Sequence, residues 1–303
     1  MGIVIRSNAV ELEAYTTHEL VAPQQGALDY SVLAAEKCIL QAGIDRSEID
    51  LLINTGTYRD KNINEPSIAS LIQKRLKIGL DPFQDTFQKT CFSFDLRNGV
   101  VGMLSAVQVA SALMQQKMVK NALIVSGDVH PTKSKSSDFP YTHMGSATLL
   151  SWSEDENKGF QKVILDTSGG DYHGVDAMVN LSDPESRNKV DIEIQEDFGQ
   201  KLAEFTIEMF KKHVASGEIN PKDINLAIMS EPVPGFSRTV ADAVGLECRL
   251  LDDLYETHGN VLSSALPLGY SLALEQGLFN ENDNILFIGA GSGLTFACSL
   301  YKA

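Results

Sequence analysis

An internal repeat narrows the possible folds more than any other feature of this chain. Residues 43–55 read Gly-Ile-Asp-Arg-Ser-Glu-Ile-Asp-Leu-Leu-Ile-Asn-Thr, and residues 218–230 read Glu-Ile-Asn-Pro-Lys-Asp-Ile-Asn-Leu-Ala-Ile-Met-Ser. Further along, residues 99–106, a long apolar helix and the run 121–127 follow one another in the same order as residues 259–265, a helix to Leu278 and the run 284–289. The shared Ile-(Asp/Asn)-Leu and Ser-Ala positions go beyond what any helix-then-strand segment would share. Two matched blocks in one order predict a duplicated α/β unit, with halves at residues 1–160 and 161–303. Such a duplication gives two equivalent helices whose N-termini converge on one internal site, and the sequence places residue 100 and Asn260 at those two starts.

Within the first half, residues 31–43 carry apolar positions at helical spacing and stop at Gly43. The bounded run 51–55 suits a strand buried on both faces. A helix is expected over 67–76, a strand within 83–94, an apolar and therefore buried helix over 102–119, a central strand at 121–128, and a polar loop at 131–139. A further strand opens at Gly145, and the second half begins with a helix over 197–215. The stretch from Thr90 to Ala106 is a strand, a glycine-bracketed turn and a helix start. Unpaired N–H groups and the helix dipole favour an anion or a thiolate at such a turn. This turn carries Val100 and Val101.

Composition excludes several function classes. The formal charge is −15 and no basic run is present, which argues against nucleic-acid binding. No stretch approaches the ~18 consecutive apolar residues of a membrane span, and residues 1–6 read as an opening strand and not as a signal peptide, so a cytoplasmic protein is expected. Four scattered cysteines, Cys38, Cys91, Cys248 and Cys298, suggest free, mostly buried thiols, and the six dispersed histidines show no metal site.

Phe94-Asp95-Leu96, Asn98-Gly99-Val100-Val101-Gly102, Gly127-Asp128, Gly145-Ser146-Ala147, Gly259-Asn260 with Ser263-Ser264-Ala265 and Pro267, and the closing Gly289-Ala290-Gly291-Ser292-Gly293-Leu294 together resemble the thiolase superfamily, and most closely its β-ketoacyl-ACP synthase III branch. The resemblance runs from residue 27 onward. It implies a five-layered αβαβα fold, an obligate dimer, no cofactor, and condensation of an acyl thioester with a malonyl thioester by a Cys-His-Asn set. The cysteine would be acylated, while the histidine and asparagine stabilise the enolate. The family's longer N-terminal segment, with an arginine beside the substrate tunnel, has no counterpart before the first long helix at residue 31.

Carried over residue by residue, the cysteine position is Val100, the histidine position is Ser230, and only Asn260 is retained. Arg97 and His258 are possible helpers, and Gly99, Gly102, Gly291 and Gly293 are candidate turn or oxyanion-hole glycines. Cys91 reads as a buried structural thiol. Three functions fit this pattern. The first is a ketosynthase III-like subunit without condensing activity that pairs, as a hetero-oligomer, with an active ketosynthase III-like protein in fatty-acid or polyketide-type secondary metabolism. The second is an acyltransferase or decarboxylase without a cysteine nucleophile. The third is a non-enzymatic homodimer holding an acyl chain, acyl-CoA or an acyl carrier protein, for which Lys117, Lys120, Lys133 and Lys135 are the candidate basic patch.

Overall fold

The computed structural model describes residues 2–12, 26–80, 90–131, 139–180, 182 and 189–303. The first half contains β1 (Gly2–Leu12), α1 (Ala27–Ala42), β2 (Leu51–Asn54), α2 (Ile68–Leu76), β3 (Phe92–Asp95), α3 (Gly102–Gln115), β4 (Asn121–Asp128) and β5 (Met144–Ser153). The second contains β6 (Gly159–Phe160), β7 (Ile164–Thr167), β8 (Val175–Met178), β9 (Asp191–Ile194), α4 (Phe198–Ala215), β10 (Leu226–Met229), α5 (Phe236–Val244), β11 (Arg249–Leu251), α6 (Leu254–His258), α7 (Ala265–Glu275), β12 (Asn284–Gly291) and β13 (Thr295–Lys302). One sheet has the order β1-β5-β4-β2-β3; the other runs β11-β10-β12-β13-β6, with β7 also on β13. Each has a parallel core joined to an antiparallel strand: β2 with β3 and β4, then β4 with β5; β10 with β11 and β12, then β12 with β13. The four-strand core of the duplicated unit, β3-β2-β4-β5 and β11-β10-β12-β13, is thus present in both halves.

Strict side-chain alternation sets the layers. Leu51 and Ile53 of β2, and Leu226 and Ile228 of β10, face one shared core with α3 and α7. Leu52 faces α1 and α2, whereas Ala227 and Met229 face α4 and α5. Strands buried on both faces need apolar residues throughout, which explains the continuous runs in β2 and β10. The result is the five-layered thiolase-like fold, with α3 and α7 as its middle layer. Those two helices carry almost no charge because they touch a sheet on either side.

Several boundaries differ from expectation. Helix α1 begins at Ala27, four residues early, and ends as expected at Gly43, whose φ of 62° is the left-handed cap. Helix α3 stops at Gln115, short of residue 119. The strand expected within 83–94 lies at its far end, as Phe92–Asp95; residues 83–89 and most of the 131–139 loop are outside the described residues. The hairpin β8–β9, which pairs with no other strand among the described residues, had no counterpart in the sequence reading.

An ion-pair cluster pins the last turn of α4 to β7 and to the turn before β10. His213 Nε2 lies 2.5 Å from Asp166 Oδ2 and its Nδ1 2.7 Å from Glu218 Oε2, while Lys212 pairs with Asp166 and Lys162 with Glu218. Lys162, then His213 and Ser216, hold the Glu218 carboxyl down at about 2, against an ordinary 4.5. Burial pushes Asp166 up, but Lys212 and His213 outweigh it and leave it lowered. Depressed carboxylates contribute stability that is complete above their unfolded pKa and is lost as pH falls through the folded one. The melting temperature is therefore expected to fall between pH 4.5 and about 2, and Glu218→Gln to flatten that limb; a variant with the wild-type acid limb would refute the assignment.

Candidate functional site

At the C-terminal end of β3 the chain turns into α3, and the motif residues around that turn are scaffold. The Asp95 carboxylate accepts from Asn54 Nδ2, Arg59 Nη2 and the Ile68 and Ala69 N–H groups, which caps α2 and ties it to β2. Gly99 has φ 49°, a left-handed conformation that glycine adopts without Cβ strain, and the three-residue turn Gly99–Val101 follows. Asn98 Nδ2 bonds Ser105 Oγ across the start of α3. Val100 is buried, and its Cγ2 lies so near Gly291 that a Cβ there would sit 2.4 Å away. The side chain at the position assigned by resemblance to the nucleophile is thus an isopropyl group wedged between the turn and the β12–β13 loop.

The partner turn before α7 corrects one expectation. The turn Leu262–Ser264 before α7 corresponds to Gly99–Val101, so Val100 is matched by Ser263; Asn260 lies before the turn, not at the helix start. Leu262 has φ 45°, a strained value for a leucine, matching the 49° of Gly99. Two contacts hold it there. Asn260 Oδ1 accepts from Leu262 N–H at 3.0 Å, and the fully buried Asp128 accepts from Ser263 N–H and from its hydroxyl. Asp128 Oδ1 also accepts from the N–H groups of Thr57 and Tyr58, at 2.8 Å each. Burial pushes the Asp128 carboxyl up, and these donors pull it back. Asn260 Nδ2 bonds Pro232 O, so both ends of the retained amide are engaged.

Ser230, at the histidine position, is fully buried and faces no ligand space. Its hydroxyl donates to Ala290 O at 3.2 Å and accepts from Ala290 N–H at 2.9 Å, extending the β10–β12 pairing by one side-chain rung. His258 borders a recess of about 550 Å³ with Thr142, His143, Tyr141 and Tyr255, and burial lowers its imidazole pKa. Arg97 donates to Thr57 O at 3.0 Å, and partial desolvation of its guanidinium, then the charge of Arg59, lowers its pKa. The Cys91 thiol is buried and pushed up to about 12, mainly by desolvation, so it is a poor nucleophile. Gly293, one of the candidate oxyanion donors, spends its N–H on His173 O at 2.7 Å. Gly102 lets α3 approach Thr55, whose Cβ would stand 3.0 Å from an added Cβ. Lys117 and Lys120 lie beyond the C-terminus of α3, a helix length of roughly 20 Å from Val100; Lys133 and Lys135 are outside the described residues.

Between the two helix starts lies a cavity of about 250 Å³. Val100, Val175, Ile194, Phe198, Val233 and Leu262 form its apolar wall, and Tyr141, Tyr255, Asn260, Ser292 and Thr295 contribute its polar groups. The structure therefore brings Val100, Gly99, Gly291 and Asn260 together and leaves Ser230, His258, Arg97 and Gly293 off the wall. Among the described residues the wall holds no Cys, His, Asp, Glu, Lys or Arg. Tyr141, Tyr255 and the β8–β9 hairpin were missed in the sequence, where no spacing links them. No cluster of three or more His, Cys, Asp or Glu able to hold a metal is present, nor a helix long and apolar enough to cross a membrane, among the described residues.

Residues 214–303 match the 3-oxoacyl-[acyl-carrier-protein (ACP)] synthase III C-terminal family. Over 276 residues the chain is 25% identical to a β-ketoacyl-[acyl-carrier-protein] synthase III of Rickettsia bellii, spanning 89% of this chain and 82% of that protein. The crystal structure of 3-oxoacyl-[acyl-carrier-protein] synthase III from Aquifex aeolicus aligns over the whole of both chains with a TM-score of 0.79 and 17% identity. A cysteine-to-serine variant of Xanthomonas campestris OleA with bound lauric acid and lauroyl-CoA aligns over 100% of this chain and 99% of its own, with a TM-score of 0.81 and 16% identity.

Proposed function

We propose, for a chain that is ketosynthase III-like in sequence and thiolase-like in fold throughout, that it is a subunit without condensing activity of its own. In this reading it pairs with an active ketosynthase III-like protein in fatty-acid or polyketide-type secondary-metabolite biosynthesis. One observation carries it: a cavity lies at the two helix starts, yet among the described residues its wall holds no cysteine, histidine or carboxylate. Claisen-type condensation needs a nucleophile to hold the acyl group and polar donors to stabilise the enolate. Val100 offers two methyl groups, Ser230 is consumed in strand pairing, and the asparagine amide is tied to Pro232 and Leu262. Catalysis without a cysteine is the weaker reading, because Gly293 N–H, a donor it would draw on, is bonded to His173.

The pairing surface in this reading is β3. This strand pairs with β2 on one side only among the described residues. Its Phe92 is 61% exposed, with the Phe94 ring centroid 5.2 Å away, and Met118 beyond α3 is 66% exposed. An unpaired edge flanked by apolar side chains is a surface that folded proteins cover.

Restoring the two residues tests the silent-subunit reading. Val100→Cys with Ser230→His is expected to release no CO₂ from malonyl thioesters and to form no condensation product. The imidazole would have to enter a fully buried strand position, with overpacking of about 1–3 kcal/mol. Val100→Cys alone avoids that strain and is expected to gain a thiol alkylated faster than the four native cysteines, again without condensation. Robust condensation by either variant would show that the substrate pocket is intact and that residues 100 and 230 alone silence the chain, whereas condensation by the unmodified chain would contradict the proposal.

A further inference from the structure

Arg97 brings a positive charge to the rim of a cavity whose wall, among the described residues, holds no Lys, Arg, Asp or Glu. Two sets of contacts place it there. Its chain neighbour Asn98 lines the cavity, and its own Nη2 donates to Thr57 O at 3.0 Å. The residue after Thr57, Tyr58, packs its ring 5.1 Å from that of Tyr141, which lines the cavity as well. The guanidinium is thus held at the cavity's edge, between Asn98 and the Tyr58–Tyr141 pair, and it is reachable from solvent.

The rim is rich in donors and short of acceptors. Among the described residues only the Nη2 of Arg97 has an acceptor, and no carboxylate lies within ion-pair distance of it. The two carboxylates whose charge reaches it, Asp95 and Asp128, are engaged elsewhere. Asp95 accepts from Asn54, Arg59, Ile68 and Ala69, and Asp128 accepts from Thr57, Tyr58 and Ser263. A second guanidinium, that of Arg59, is near enough to act on Arg97, and Arg59 Nε and Thr57 Oγ1 are buried without a partner. Buried donors are ordinarily matched, so this surplus points to a missing acceptor. An arginine beside another arginine, partly desolvated and without a counterion, gains most from a planar anion, because the bonds it makes to one are charge-assisted and bidentate.

The cavity beside it defines what that anion is attached to. Its wall of Val100, Val175, Ile194, Phe198, Val233 and Leu262 suits a hydrocarbon chain, and its volume of about 250 Å³ has room for about eight water-sized groups at ~30 Å³ each. We infer that Arg97 anchors the carboxylate of a short free fatty acid whose hydrocarbon chain lies in this cavity. The inference rests on the rim and the cavity of this chain and stands apart from the pairing reading.

Calorimetric titration of the full chain with hexanoate and with hexanamide, its uncharged isostere, tests the anchor. Hexanoate is expected to bind at least ~10-fold more tightly, the scale of one charge-assisted contact. Arg97→Gln is expected to abolish that preference and leave hexanamide binding unchanged, and Arg97→Lys to keep part of it, because lysine retains the charge but not the planar fork. Equal affinity of the unmodified chain for the two ligands would overturn the inference, and so would the absence of saturable hexanoate binding. Weakening of both ligands alike by Arg97→Gln would mean that the side chain only props the wall, which also overturns it. Unchanged hexanoate binding by that variant, together with weaker association with a ketosynthase III-like partner, would assign Arg97 to the interface and overturn it as well.

Discussion

Asp128→Ala is expected to destabilise the protein by about 3–5 kcal/mol, as removal of a buried, multiply bonded carboxylate does. The alanine would leave four donor groups without their acceptor: Thr57 N–H, Tyr58 N–H, Ser263 N–H and the Ser263 hydroxyl. They come from the loop after β2 and from the turn before α7, so this one side chain joins the two halves at the floor of the site. Asp128→Asn separates acceptor loss from loss of volume. Its Oδ1 can still accept from Thr57 and Tyr58, but its amide nitrogen meets the Ser263 N–H as a second donor, and a smaller cost of about 2 kcal/mol is expected. Denaturant titration reads both. A loss below about 1 kcal/mol for the alanine variant would mean that the four bonds are replaced by water. Because Leu262 is held at a left-handed φ next to Ser263, the alanine variant should also reshape the cavity wall that Leu262 provides.

Phe92→Lys is expected to weaken association with a ketosynthase III-like partner by at least ~100-fold, about 2.7 kcal/mol, with little change in the chain's own stability. The Phe92 N–H is bonded inward to Asp50 O and its side chain is mostly exposed, so the substitution leaves the β2–β3 pairing intact. What it removes is an aromatic anchor beside an unpaired strand edge, and a lysine there is the device by which natural sheets discourage edge-to-edge pairing. Analytical ultracentrifugation of the mixed chains reads the change. An unchanged complex at equal concentration would move the interface elsewhere.

The sequence shows the duplication because the repeated segments at 43–55 and 218–230 each end in a strand buried on both faces, where composition and period are both constrained. It misplaces Asn260 for a conformational reason. The first turn meets its left-handed φ with Gly99, whereas the second meets it with Leu262, held by Asn260 and by the Asp128–Ser263 contact. Aligning glycine with glycine therefore pairs Gly99 with Gly259, which ends α6, and shifts the site by three residues. Ser230 shows the other limit. Its residue type excludes an imidazole, but only the structure shows its hydroxyl spent on both backbone groups of Ala290. The β8–β9 hairpin and the tyrosines of the cavity are tertiary features, assembled from segments with no shared spacing.

The most direct measurement of the central claim is the condensing rate of a catalytically competent ketosynthase III-like protein, purified alone and after co-expression with this chain. The two chains are expected to co-purify as a 1:1 complex, with condensation requiring the pair and surviving Val100→Ala in this chain. Isolation of this chain as a stable homodimer, together with a competent enzyme equally active without it, would contradict the account.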